Sequence, residues 1–146
     1  MMKRLFKVLI PLLICVIISS LFIFFGKLDY DNLIKPKFAP PGFVFGIVWS
    51  IIYLIFFFTM LKLYKYKHIY YLYIIVLVMH IIWNFLFFMM GYLLLSVIFI
   101  ILLYFISWLF IYNIGLKSKK YFYIYMIYII WIMIATYLNL SILLLN

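Results

Sequence analysis

Five long apolar segments constrain the fold of this chain more than any other feature. They cover roughly residues 5–25, 43–61, 69–90, 92–112 and 121–145. A bilayer core about 30 Å thick needs about 20 helical residues at about 1.5 Å each, so every segment is long enough to cross it. The segments are too long and too uniformly apolar for barrel strands, which alternate over about ten residues. The sequence therefore predicts an all-α integral membrane protein, a bundle of five transmembrane helices.

The composition indicates that lipid is the main solvent of this fold. Hydrophobic residues make up 73% of the chain and charged residues 10%, against roughly 45–50% and about 25% in soluble proteins. We expect residues 1–146 to form a single transmembrane domain whose only long loop covers residues 26–42. The first apolar segment is too long for a signal peptide and lacks a small-residue cleavage site, so we expect it to be retained.

The charged residues indicate both partners and orientation. The chain has twelve Lys and Arg residues but only two Asp residues, and the basic residues form short clusters between the apolar segments. Such clusters suit anionic lipid headgroups, so we expect membrane lipids as partners and no nucleic acid. One side of the bundle receives nine basic residues: Lys3, Arg4, Lys7, Lys62, Lys65, Lys67, Lys117, Lys119 and Lys120. The other side receives Lys27, Lys35 and Lys37 with both Asp residues.

This asymmetry fixes a predicted topology. Cytoplasmic loops of membrane proteins carry the excess of Lys and Arg. We therefore predict a multi-pass protein of a bacterial cell membrane, with a cytoplasmic N-terminus and an extracytoplasmic C-terminus. The long loop would lie on the extracytoplasmic side.

Ionisable groups are scarce inside the predicted spans. No Asp or Glu follows Asp31, and no span carries Lys or Arg in its middle. Ion-coupled carriers usually need such a group within the membrane. Neither histidine, His68 or His80, has partners at metal-ligand spacing. We predict no metal site, no catalytic residue and no required cofactor.

Aromatic and polar residues recur at helical spacing in three of the spans. They are Phe45, Trp49 and Tyr53 in the second, His80, Trp83, Asn84 and Phe87 in the third, and Trp131, Ala135 and Asn139 in the fifth. Polar groups are costly in hydrocarbon unless they find partners, so these faces should point inward. Two interpretations remain open: a pocket for a flat apolar ligand with a few polar edges, or contacts that only hold helices together. His80 could likewise ligate a haem iron or be a packed, neutral side chain.

Three blocks of the sequence resemble a known family. Residues 35–53 read KPKFAPPGFVFGIVWSIIY, which is similar to the pattern K-P-x-W-x-P-P-G-W-V-F-G-x-V-W-x-x-x-Y of the TspO/MBR family. These are the tryptophan-rich sensory proteins, relatives of the mitochondrial translocator protein. Residues 83–88, WNFLFF, resemble the W-S-x-x-F-F block of the third helix. Residues 131–139, WIMIATYLN, resemble the W-x-x-F-A-T-x-L-N block of the fifth.

The resemblance covers almost the whole chain and implies a function. It implies a membrane protein, often a homodimer, that binds porphyrins and related tetrapyrroles in an interior pocket under the first loop, in a sensory or regulatory role. Porphyrin or haem is then the candidate ligand, and Phe38, which stands where the family has Trp, joins the candidate ligand-binding residues. The alternatives are a transporter of porphyrin, haem or another lipophile, and a porphyrin-degrading enzyme. Residues 140–146 contain neither Tyr nor a basic residue, so the cholesterol-recognition segment of eukaryotic members has no counterpart.

Overall fold

A computed structural model describes residues 2–146 as a bundle of five helices. The helices are α1 (Met2–Phe25), α2 (Gly42–Leu63), α3 (Lys67–Asn84), α4 (Leu93–Gly115) and α5 (Lys119–Leu145). Each is long and apolar enough to span a membrane, α3 together with the turn that continues it to Met89. No strand occurs within the described residues. The predicted five-helix membrane fold is confirmed.

The helices extend a few residues beyond the apolar segments at several ends. α3 and α5, for example, begin at Lys67 and Lys119, two residues before the predicted starts. Lysine side chains can continue a helix into the headgroup region because their long stems let the charge reach water. Polarity therefore marks the edge of the hydrocarbon region rather than the end of the helix.

The end of α3 differs from the regular helix predicted to residue 90. The α-helix ends at Asn84, and a π-helical turn (Phe85–Met89) follows. The carbonyl oxygens of Phe88 and Met89 accept hydrogen bonds from Leu28 and Lys27 of the first loop, at 3.1 and 3.5 Å. The π turn therefore supplies the acceptors that hold the start of the loop.

The five helices form a ring in the spatial order α1, α2, α5, α4, α3. α3, α4 and α5 pack closely along the chain, whereas α2 packs more loosely against its neighbours α1 and α5. At the end of the bundle away from the long loop, fully buried Phe56, Tyr73, Phe110 and Tyr125 fill the ring. The space between α2 and the other helices therefore lies at the loop end of the bundle.

A buried polar chain holds three of the helices together. The hydroxyl of Tyr128 (α5) lies 3.0 Å from Nε2 of His80 (α3) and 2.7 Å from Oγ of Ser107 (α4). Ser107 in turn donates to the carbonyl of Leu103. Polar groups inside a membrane protein must find such partners within the bundle. His80 therefore helps to hold α3 against α5, which agrees with its interpretation as a packed side chain.

The long loop is held at its start and in its middle. Gly26 passes so close to the carbonyl groups of Phe22 and Phe88 that a Cβ atom would collide with them. Farther along, the side-chain amide of Asn146 accepts from the N–H of Ile34 and donates to its carbonyl, both at 3.0 Å. These contacts hold the loop across the loop end of the bundle.

Candidate ligand-binding cavity

A cavity of about 690 Å³ lies beneath the long loop, between α2 and the helices α1, α3 and α5. It exists because α2 stands apart from its neighbours at this end of the ring. Small-molecule sites typically measure roughly 300–1,000 Å³ and are mostly apolar. The volume and the largely aromatic and aliphatic lining both suit a ligand of that class.

Eight of the eleven candidate residues line this cavity. They are Phe45, Trp49, Tyr53, Trp83, Asn84, Phe87, Ala135 and Asn139. The spacing of four residues within each helix brings them to one face, and the ring arrangement turns the three faces toward one another. The structure therefore gathers these residues around one space.

Two pairs of stacked aromatic rings form the walls. Trp49 and Tyr53 on α2 stack with their centroids 5.8 Å apart and their planes 27° apart. Trp83 and Phe87 on α3 stack at 5.9 Å and 22°. Ala135 on α5 adds a small side chain that leaves room beside them. Flat, rigid walls of this kind match flat apolar ligands, because aromatic rings favour offset-stacked contacts.

Hydrogen bonds between helices hold these walls in place. The indole nitrogen of Trp83 donates to Oδ1 of Asn139 at 2.8 Å, and Nδ2 of Asn139 donates to Oγ of Ser96 at 2.9 Å. Nδ2 of Asn84 donates to the carbonyl of His80 at 2.9 Å and to Ser19 on α1 at 3.3 Å. Each polar side chain thus both lines the cavity and joins helices, so the two interpretations of this residue set are compatible.

Three candidate residues lie away from the cavity surface. His80 is fully buried one turn deeper than Asn84, where the edge-on ring of Trp49 covers it at 4.9 Å. Trp131 packs behind Phe45 and Trp49. His80 therefore does not face a ligand in this cavity, and the structure gives no support to its role as a haem ligand.

Phe38 is the third of these residues, and it lies on the outer surface. Its side chain is 75% exposed and stacks on Tyr137 of α5 at 6.0 Å. The Pro-rich turn that precedes α2 directs it away from the cavity below. Its placement among the ligand-contacting residues is therefore not supported by this arrangement.

Sequence reasoning missed the contribution of α1 and of the loop. Val16, Ser19, Ser20 and Ile23 of α1 line the cavity opposite α2. The pair Ser19–Ser20, polar residues in an apolar helix, was a usable signal for a face that meets polar partners. In the loop, Leu28 and residues 29–31 close the cavity from above.

Tyr30 shows how the loop packs onto the cavity. Its ring meets Phe45 edge-on at 5.0 Å, and its hydroxyl donates to the carbonyl of Pro40 at 2.9 Å. Nζ of Lys35 lies 4.6 Å from the same ring and donates to the Tyr30 carbonyl at 2.7 Å. Partial burial, and then the charge of Asp31, raise the pKa of the Tyr30 hydroxyl above its ordinary value. The hydroxyl is therefore neutral and acts as a hydrogen-bond donor within the loop.

Comparison with known proteins gives one clear result. The sequence model of the TspO/MBR family matches residues 8–145. The match covers α2 to α5 completely and most of α1, and it includes every residue that lines the cavity. No curated protein sequence matches the chain significantly.

Proposed function

Because the chain belongs to the TspO/MBR family, we propose that it binds porphyrins, other tetrapyrroles or similar flat lipophilic molecules in the cavity under the first loop. The observation that carries this proposal is the space of about 690 Å³ between stacked aromatic pairs on α2 and α3. A planar ligand buries most of its surface in such a space, and that burial is the main source of affinity.

A sensory or regulatory role fits this geometry better than transport. A carrier needs a route that opens to both sides of the membrane, whereas aromatic side chains fill this bundle at the end away from the loop. The loop packs over the other end and contacts the π turn of α3. A ligand beneath the loop would change these contacts and so the conformation of the loop. A signalling partner could recognise that change in loop conformation.

We further propose that the loop end of the bundle faces the extracytoplasmic side. The support is the distribution of charge, nine basic residues at one end against three at the other. A cysteine introduced at Lys37 should then react with an impermeant thiol reagent in intact cells, and one at Lys65 only after lysis. The opposite pattern would reverse the orientation. The homodimer implied by the family resemblance stays a prediction.

The binding proposal is tested by titrating the protein with protoporphyrin IX in neutral detergent while following tryptophan emission. We expect saturable quenching, because Trp49 and Trp83 line the cavity. The variant Trp49→Phe should lose a large part of the quenched emission. The matched control is Trp108→Phe, since Trp108 lies on α4 beside Tyr104 and outside the cavity. Quenching that does not saturate, or that falls equally in both variants, would contradict the proposal.

A further inference from the structure

The charged part of the cavity lining is wholly acidic. Asp29 and Asp31, the only two acidic residues of the chain, both line it. The chain also holds twelve Lys and Arg, yet none of those in residues 2–146 contributes to the lining. The cavity therefore has a local charge opposite to that of the protein, whose formal net charge is +10.

The structure keeps both carboxylates in place at the loop end of the cavity. Oδ1 of Asp29 accepts from the backbone N–H of Asp31 at 3.1 Å, and Oδ2 accepts from Nδ2 of Asn32 at 2.8 Å. The carboxylate of Asp31 lies against Gly42, the first residue of α2. Negative charge is favoured there because the helix dipole places partial positive charge at its N-terminus.

The side chain of Lys35 makes no hydrogen bond to either carboxylate. Nζ of Lys35 donates to the backbone carbonyls of Tyr30 and Asp31, at 2.7 and 2.9 Å. Both hydrogen bonds use main-chain oxygens, so Lys35 stabilises the fold of the loop. The carboxylate oxygens of Asp31 remain available to a ligand.

A second acceptor lies deeper in the cavity. Asn84 is only 6% exposed, and its Nδ2 donates to both His80 and Ser19. Its Oδ1 accepts no hydrogen bond from any residue that the structure describes. Because Asn84 lines the cavity, this oxygen can accept a hydrogen bond from a ligand that carries an N–H or O–H group.

We propose that the cavity selects flat lipophiles with positive charge at the loop end and hydrogen-bond donors on the body, and that it disfavours ligands with carboxylates at that end. The proposal rests on the proposed function, since it assigns the ligand class of the same site. Opposite charges attract and like charges repel near the protein surface with energies that depend on distance and screening. The positive net charge of the whole protein would instead favour ligands with carboxylates. The effect of the cavity can therefore be separated from the effect of the net charge.

Three porphyrins that share one macrocycle provide the test: protoporphyrin IX, its neutral dimethyl ester, and its bis-amide with ethylenediamine, which carries two ammonium groups. Dissociation constants are measured in neutral detergent at low and high salt. We expect the diammonium compound to bind about tenfold more tightly than the diacid, from two exposed charge contacts. High salt should reduce this ratio.

The variant Asp29→Asn/Asp31→Asn keeps the shape of both side chains and removes their charge. We expect it to reduce the ratio to about twofold or less. The control Asn32→Ala removes the hydrogen bond to Asp29 without changing charge, and it should keep the ratio. If the ester binds but the diacid binds most tightly, or if the charge-removing variant leaves the ratio unchanged, the inference fails and the proposed function stands. If not even the ester binds saturably, both fail.

Discussion

The indole nitrogen of Trp83 lies 2.8 Å from Oδ1 of Asn139, so one hydrogen bond joins α3 to α5 in the wall of the cavity. Asn139 in turn donates a hydrogen bond to Ser96 of α4. The variant Asn139→Ala should lower the free energy of unfolding by about 0.5–2 kcal/mol, since both contacts are lost and Trp83 is left without an acceptor. Thermal unfolding in detergent measures this. Asn113→Ala is the matched control, because Asn113 bonds only to the Leu109 carbonyl of its own helix; an equal loss in both variants would contradict the assignment.

The hydroxyl of Tyr128 is the only hydrogen-bond partner of the His80 ring among the described residues. Removing it in Tyr128→Phe leaves a fully buried imidazole unpaired, so we expect a loss of about 1–3 kcal/mol in stability. Tyr123→Phe removes a hydroxyl from a side chain that is 68% exposed, and it should have little effect. Comparison of the two unfolding midpoints checks this. An unchanged midpoint in Tyr128→Phe would show that the hydrogen bonds of Tyr128 contribute nothing to stability.

Two glycines offer a test of the loop start. A Cβ at Gly26 would collide with the carbonyl groups of Phe22 and Phe88, whereas a Cβ at Gly46 meets nothing within 4 Å. Gly26→Ala should therefore cost about 1–3 kcal/mol, because the loop must move away from the π turn. Gly46→Ala should leave stability unchanged or raise it slightly, since alanine favours a helix. Similar unfolding curves for the two variants would mean that the close approach at Gly26 is unimportant.

The Asn146 side chain holds the middle of the loop through the backbone of Ile34. Asn146→Ala should speed hydrogen exchange at the Ile34 amide, because that amide loses its acceptor. The amide of Leu28, which donates to Phe88, provides the reference within the same molecule. Exchange at Ile34 that stays as slow as before would show that another contact holds the loop.

The faces of the helices could be predicted because side-chain spacing fixes them. Trp49 and Tyr53, or Ala135 and Asn139, are four residues apart in a helix whatever surrounds it, and they reach the cavity together. The helix count followed from the length of the apolar segments in the same way. Both predictions depend on one helix at a time.

Whether a residue on such a face reaches the cavity depends on the neighbouring helices. The spacing of residues along one helix could not predict this. His80 and Asn84 share a face of α3, but Trp49 of α2 covers the first and leaves the second open. The π turn at Phe85–Met89 changes backbone hydrogen bonds without changing polarity, so hydropathy has no signal for it. Asp29 and Asp31 lie in a loop without periodicity, and only their rarity in the chain marked them.

The central claim, that the cavity under the loop is a ligand site, is tested most directly by filling it. Ala135 points into the cavity, so Ala135→Phe should occupy the space between the aromatic walls, whereas the neighbour Ile134 is partly exposed on the outer surface. The measurement is the dissociation constant of protoporphyrin IX dimethyl ester for the unmodified protein and the two variants. We expect Ala135→Phe to weaken binding at least about tenfold through steric conflict, and Ile134→Phe to leave it unchanged. Equal binding by all three proteins would contradict the account.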